Sequence, residues 1–378
     1  MKTIFSIFFL LLLSFQINYS QVYPKNVLLE EFSTAPCGFC PEGAIIAEKL
    51  INKYPNLFTF THHAGFGTDS MTIPESAAIA GKYTTFAPAG VIDRGYYDIP
   101  VYTNKGYLGV SRQKWDSVVA VRLNEAAEAY IKVNKSYDNE LRTLNVKVDI
   151  GFISNVDSND YRVNLAIIED SVTGTGKGYD QKNYFNGDPN YPELYKKGDS
   201  IVGYVHRHVL RALPTGTWGA AKIIPYQPEI ETIYTYELKN YKIPAKWKIK
   251  DLSIISFISY YNKDSVVKHK ILNSEYIKHI DNETKVVNEQ PVYNNNEMEI
   301  YPNPAQDLAY AAISLDKTTI LNLGLYSIAG QKIRDIKHSS SFAKGNIYFY
   351  VSDLQTGVYI LRAETTDRTI CRKFVVEK

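Results

Sequence analysis

Cysteine is scarce in this chain: there are three in 378 residues, Cys37, Cys40 and Cys371. A structural zinc site takes four ligands, commonly two C-x-x-C pairs, and only one such pair is present here. Neither sign of charge is in surplus, the formal net charge being +2, so neither a nucleic-acid surface nor a polybasic membrane patch is expected. Long apolar runs are also missing. The one at residues 4–13 falls short of the ~20 residues that cross a bilayer as a helix, so no transmembrane span is expected. No flavin, nicotinamide or haem motif occurs, and no cofactor is expected.

What is present begins with an address. Lys2, the apolar run and the polar stretch after it have the layout of a secretory signal peptide, which places a leader at residues 1–20 and the rest of the chain outside the cytoplasm. No cysteine follows the apolar run until Cys37, which argues against a lipid anchor at the new N-terminus. A chain of this length is expected to divide into two or three domains.

Residues 21–135 alternate strand and helix signals. NVLLEEF reads as a buried strand, and PEGAIIAEKLINKY carries Ile45, Ile46 and Leu50 on one helical face. LFTFTHH is a second strand. Thr72 and Glu75 have the spacing of a capping box opening a helix through Lys82, with Pro74 in its first turn. AGVIDR is a third strand, and residues 111–131 read as one long amphipathic helix. The β-α-β-α-β-α order predicts a layered α/β domain. From residue 136 to 280 the period becomes two. LNVKVDIGF, YRVNLAII, IVGYVHRHVL, ETIYTYEL, LSIISFISYY and VVKHKIL are expected strands of an antiparallel β-sandwich. Among them lies a Tyr-rich stretch, residues 173–200, too long for an ordinary connection and so either a functional loop or a solvated excursion.

Residues 281–298, poor in large apolar side chains, read as a linker. Residues 299–378 show hairpin signals again, with turns at Ala329-Gly330 and near Thr366-Asp367, and form a small C-terminal β-sandwich. The fold class expected is therefore multidomain, α/β followed by all-β.

Two resemblances add to this reading. YPNPA, LYSIAGQKI, DLQTGVYILR and the ending RKFVVEK together resemble the C-terminal sorting domain of the type IX secretion system of Bacteroidetes. That implies passage through the periplasm to the cell surface or the medium, contact with the secretion machinery through residues 299–378, and removal of this domain. The front domain resembles thioredoxin-like proteins, which share its strand, C-x-x-C, helix order. Glu31 stands where those proteins carry a buried acid, and Pro88 where they place a cis-proline beside the cysteines. LLEEFSTAPCGFCPEG with YVHRHVLRAL resembles the Omp28-related outer membrane proteins over residues 24–280. Pro36 replaces the tryptophan usual before the first thioredoxin cysteine and Phe39 replaces the inner proline, so a redox potential does not carry over.

A thiolate at a helix N-terminus is stabilised by unpaired backbone N–H groups, which lowers cysteine pKa values in C-x-x-C motifs from ~8.5 to between ~3.5 and 7.5. Cys37 is then the attacking sulfur, Cys40 the resolving one, and Gly38 lets the backbone turn between them. Glu31, if buried beneath the pair, accepts the Cys40 proton. The candidate site is thus Cys37, Cys40, Glu31 and Pro88, acting as a thiol-disulfide oxidoreductase on a protein disulfide. Two alternatives remain: a permanent disulfide staple, and a surface binding or adhesion protein that uses the fold as a scaffold for an unidentified ligand. His62 and His63, adjacent on a strand, face opposite ways. His206 and His208 share a face if their segment is one strand, either packed there or offering a ligand platform.

Overall fold

Both faces of the first strand, β1 (Val27–Ser33), are buried, including its two glutamates. Continuous burial of this kind is the mark of a strand inside a layered sheet, and any carboxylate within it requires a partner or loses its charge. A computed structural model describes residues 24–378 except 231, 282–297, 307 and 329. The expected leader lies outside the described residues, as does the expected linker apart from Asp281 and Met298. The described residues 24–281 and 298–378 form two compact units.

In the first unit, α1 (Cys40–Lys53) leads to β2 (Leu57–His63), which runs parallel to β1 with Glu31 opposite Thr61. Then come α2 (Pro74–Tyr83), β3 (Ala89–Ile92), antiparallel to β1 with Glu31 opposite Gly90, the short β4 (Val110–Ser111), and α3 (Trp115–Leu123). Leu29, Leu50, Ile92, Trp115 and Val119 fill the core between these helices and the sheet. Each such side chain stabilises the unit by about 1.5–3 kcal/mol.

Two expectations here need correction. No capping box opens α2: Ile73 is its N-cap, Pro74 its first residue, and the Thr72 hydroxyl donates to the His63 carbonyl at 2.7 Å. The long helix stops at Leu123, and the residues after it enter a strand, β5 (Ala129–Asp138). Ala129, Ile131 and Val133 all face the core there, with exposed Lys132 between the last two, so ten paired residues outcompete helix continuation.

The remaining strands of this unit are β6 (Thr143–Phe152), β7 (Tyr161–Glu169), β8 (Gln181–Lys182), β9 (Ser200–Ile201), β10 (Val209–Ala212), β11 (Ile233–Lys242), β12 (Leu252–Tyr260) and β13 (Ile271–Ile277). IVGYVHRHVL is not one strand. Gly203 at φ 70° and His208 at φ 51° bend the chain between β9 and β10. In VVKHKIL, Val266–Lys268 is a 3-10 turn and the strand starts only at Ile271.

The sheet order is β13-β12-β7-β10-β2-β1-β3-β4, so residues on both sides of position 135 share one eight-stranded sheet. A three-stranded sheet, β11-β6-β5, contributes Val146, Val148, Ile150 and Phe152 to a core shared with Val163, Leu165, Ile167, Ile254 and Ile258 of the large sheet. This is sheet-on-sheet packing. No helix among the described residues is long and apolar enough to cross a membrane.

The second unit is a sheet of β14 (Met298–Tyr301), β15 (Leu308–Ser327), β16 (Lys332–Tyr350), β17 (Gly357–Glu364) and β18 (Thr369–Val376) around Leu321, Leu323, Phe349, Leu361 and Phe374. The β17–β18 turn closes through Thr365 and Arg368, and Gly330 turns between β15 and β16 at φ 83°; Ala329 is outside the described residues.

Candidate functional site

The chain leaves β1 at Ser33, makes a turn in which the Cys37 N–H donates to the Thr34 carbonyl, and enters α1 at Cys40. Cys37 and Cys40 are joined as a disulfide at the head of that helix, and both are covered, at 3% and 1% exposure. Pro41 occupies the first turn of α1, where a missing N–H costs nothing. Gly38 has no left-handed φ, contrary to the tight-turn reading. What demands glycine is space: a Cβ there would lie 2.6 Å from the Tyr184 ring.

Glu31 and Pro88 converge one turn further along α1. The Ala87–Pro88 peptide bond is cis. A Cβ at Gly43 would lie 2.8 Å from Pro88 Cβ and 3.0 Å from Glu31 Oε1, so strand, proline and helix meet at that glycine. Glu31 is 3% exposed, its Oε2 accepts from the Thr61 hydroxyl at 3.3 Å, and its Oε1 has no hydrogen-bond partner among the described residues. Burial pushes its carboxyl up to about 7, against smaller downward pulls from Thr61 and His208.

The neighbouring glutamate has the opposite fate. Glu30 points to the other face of β1, where Arg94 grips it with Nε at 2.6 Å and Nη2 at 2.9 Å and His62 lies 3.1 Å away. Burial alone would raise its carboxyl, but Arg94 and His62 bring it down to about 2. Of two adjacent carboxylates, one is thus held ionised and the other left near neutrality.

The histidines do not form a metal platform. His62 and His63 face opposite sides, as alternation requires. His63 Nδ1 donates to Asp69 Oδ2 at 2.7 Å, and the same oxygen accepts the Ala35 N–H, bracing the turn before the cysteines. His206 and His208 part company at the bend that breaks their expected strand. His206 Nε2 donates to the Tyr179 carbonyl, whereas His208 Nε2 donates to Glu48 Oε1 at 2.9 Å. Burial beside His63 pushes His206 down to about 4. Among the described residues no group of three or more His, Cys, Asp or Glu side chains could hold a metal ion.

Sequence reasoning missed what covers the disulfide. The Tyr-rich stretch crosses directly over the cysteine turn. Gln181 Nε2 donates to the carbonyls of Cys37 at 2.8 Å, Ala35 at 3.1 Å and Thr34 at 3.4 Å. The Lys182 N–H donates to the Ala35 carbonyl and the Tyr184 N–H to the Gly38 carbonyl. Phe39 stands edge-on to Tyr184 at 4.9 Å and to Phe185 at 5.9 Å between centroids. Tyr191 packs on Phe185, and its hydroxyl donates to Glu42 Oε1 at 2.6 Å. Glu42 is also paired with Arg112. The length and aromatic content of residues 173–200 were the only signal in the sequence, and they did not say where the loop would land.

A family model described as outer membrane protein Omp28 matches residues 83–275, and one described as a secretion system C-terminal sorting domain matches residues 299–377. The Omp28 match includes Pro88 but begins after Glu31, Cys37 and Cys40, a narrower span than residues 24–280. No curated protein sequence matches. Among solved structures, HBP35 of Porphyromonas gingivalis superposes with a TM-score of 0.53 at 16% identity, covering 94% of this chain and 100% of that one. A domain of the outer membrane lipoprotein Omp28 from Porphyromonas gingivalis gives a TM-score of 0.24 at 14% identity, covering 42% of this chain and 93% of that one. The first likeness speaks for the fold alone.

Proposed function

Since this chain belongs to the Omp28 outer membrane protein family and ends in a type IX secretion sorting domain, which fits a cell-surface or secreted location, we propose that it is an exported thioredoxin-like protein whose Cys37–Cys40 centre exchanges disulfides with a protein partner. In this reading residues 21–135 carry the chemistry, residues 136–280 supply the covering loop and the sandwich, and residues 299–378 engage the secretion machinery.

The observation that carries the proposal is the contrast between Glu30 and Glu31. A buried carboxylate without a cation costs stability, and a fold used only as a scaffold gains nothing from it. Glu31 keeps that cost beside Gly43 and Pro88, at the cysteine-bearing end of α1. From the reduced form, the Cys37 thiolate attacks a partner disulfide, a mixed disulfide forms, and one partner thiolate leaves. Cys40 then gives its proton to Glu31 and attacks the Cys37 sulfur. The second partner thiolate leaves, and the intramolecular disulfide re-forms with two electrons passed to the partner.

Glu31→Gln keeps the shape and removes the base. Stopped-flow reduction of a small disulfide, with acid trapping of the intermediate, should show resolution slowed by ~10²-fold or more and mixed disulfide accumulating, with the first attack much less affected. A second reading, a binding or adhesion protein on the same scaffold with a static disulfide, is favoured by the near-complete cover of both sulfurs. It prevails if the reduced wild type reduces the substrate no faster than a free dithiol.

A further inference from the structure

We infer that residues 181–195 are a strap that closes the approach to Cys37 and must lift before a partner sulfur can reach it; this deepens the disulfide-exchange reading and rests on it. A thiol-disulfide exchange needs the incoming sulfur in line with the bond it breaks, and access is one of the terms that set its rate. Here Cys37 is 3% exposed. The strap contributes to that cover through Gln181, whose side chain is hydrogen-bonded to the Cys37 carbonyl, and through Tyr184, whose ring lies against the glycine between the cysteines. Two backbone bonds, Lys182 N–H to Ala35 and Tyr184 N–H to Gly38, fasten the strap across the cysteine turn.

The strap is built to open. Its regular ladder is a single two-residue pairing, Gln181 with Ile201 and Lys182 with Ser200. Only Phe185 and Leu194 are its deeply buried apolar side chains, while Tyr184 is 55% exposed. Gly176 and Gly198, at φ 83° and 93°, flank it as points of easy rotation. Segments with so few buried contacts open locally well below the cost of global unfolding. Its tie to α1 is the Tyr191 hydroxyl on Glu42 in the helix's first turn, while the Asn183 and Asn186 side chains bond within the loop itself, at residues 194, 198 and 199. Lifting it would uncover the cysteine turn and the remainder of Phe39, already 47% exposed.

The test uses the full chain in its reduced state, in which exposed Cys371 is an internal reference for an open thiol. Iodoacetamide is added at pH 9, where ordinary thiols of pKa ~8.5 are largely ionised, and each cysteine is followed by peptide mass mapping. In the wild type Cys37 should react at least ~10-fold more slowly than Cys371, and in Tyr184→Gly combined with Tyr191→Phe the two rates should approach one another. Amide exchange on the wild type gives a reading that no folding defect can confuse: the Lys182 and Tyr184 amides should exchange well before those of Glu31 and Thr61. Cys37 keeping pace with Cys371 in the wild type overturns the strap, as do Lys182 and Tyr184 amides that open only with β1 and β2. Turnover of a disulfide substrate is measured in parallel. Gain of Cys37 reactivity without turnover in either protein leaves the strap standing and removes the oxidoreductase reading; turnover without that gain does the reverse.

Discussion

Tyr184 donates its backbone N–H to the carbonyl of Gly38 at 3.0 Å and rests its ring where a Gly38 side chain would have to be. Gly38, the first of the two residues between the cysteines, is therefore shaped by a loop that follows β7, a strand separated from β1 by β2 and β10. A sequence motif that looks self-contained is finished by a distant part of the chain, and each partner constrains what the other can be.

Gly38→Ala should accordingly lower stability by about 1–3 kcal/mol, the usual cost of overpacking. Adding Tyr184→Ala should return most of that loss, since the ring is the obstacle. Urea denaturation of the four proteins in the double-mutant cycle measures the coupling. An alanine that costs the same with and without the tyrosine would mean that backbone conformation, not the ring, requires glycine at position 38.

The Glu31 carboxyl is raised from an ordinary 4.5 to about 7 by burial, which fixes a pH dependence. In the folded state it stays protonated where the unfolded chain has already lost the proton. Its contribution to stability is thus fully present below about pH 4.5, falls as pH rises, and is gone above about pH 7. Glu31→Gln removes the titration. The mutant should match the wild type near pH 4 and exceed it at pH 8 by up to roughly 3 kcal/mol. Denaturation at pH 4, 6 and 8 checks this, and an equal difference at all three would show that the carboxyl does not titrate within the window.

Removal of the sorting domain, expected from its resemblance, should leave a processed protein that retains Cys37 and Cys40, lacks Cys371, and ends between residues 281 and 299. Intact-mass analysis of protein from the native culture decides it. A mature species still carrying Lys378 would mean that residues 299–378 are kept.

Much of the local order was legible from sequence because it rests on local physics. The period-two alternation of LNVKVDIGF gives β6, the buried apolar run of NVLLEEF gives β1, and the helical spacing of Ile45, Ile46 and Leu50 gives α1. The sorting tail and the C-x-x-C turn were equally plain, as their residue types stand next to one another in the chain. Errors came where a local signal had a non-local competitor. Residues 129–131 have helical spacing with the stretch before them, but pairing with β6 offered ten strand partners instead. Thr72 had the spacing of a cap but found the His63 carbonyl.

Alternation says which face a residue takes and nothing about which edge its strand will join. For that reason the sequence could not show that β10 would lie beside β2 and carry the second half of the unit into the sheet of the first. It likewise placed Glu30 and Glu31 on opposite faces of one strand, but their difference came only with the fold. Arg94, sixty-four positions from Glu30, arrived on one face, and on the other came Thr61, Gly43 and Pro88, with only a weaker pull from His208 to set against burial. The cover over Cys37 was decided in the same way. Chain sequence supplied a cysteine pair and a tyrosine-rich loop, and tertiary packing alone brought the second over the first, because contacts between residues so far apart depend on every strand placed between them.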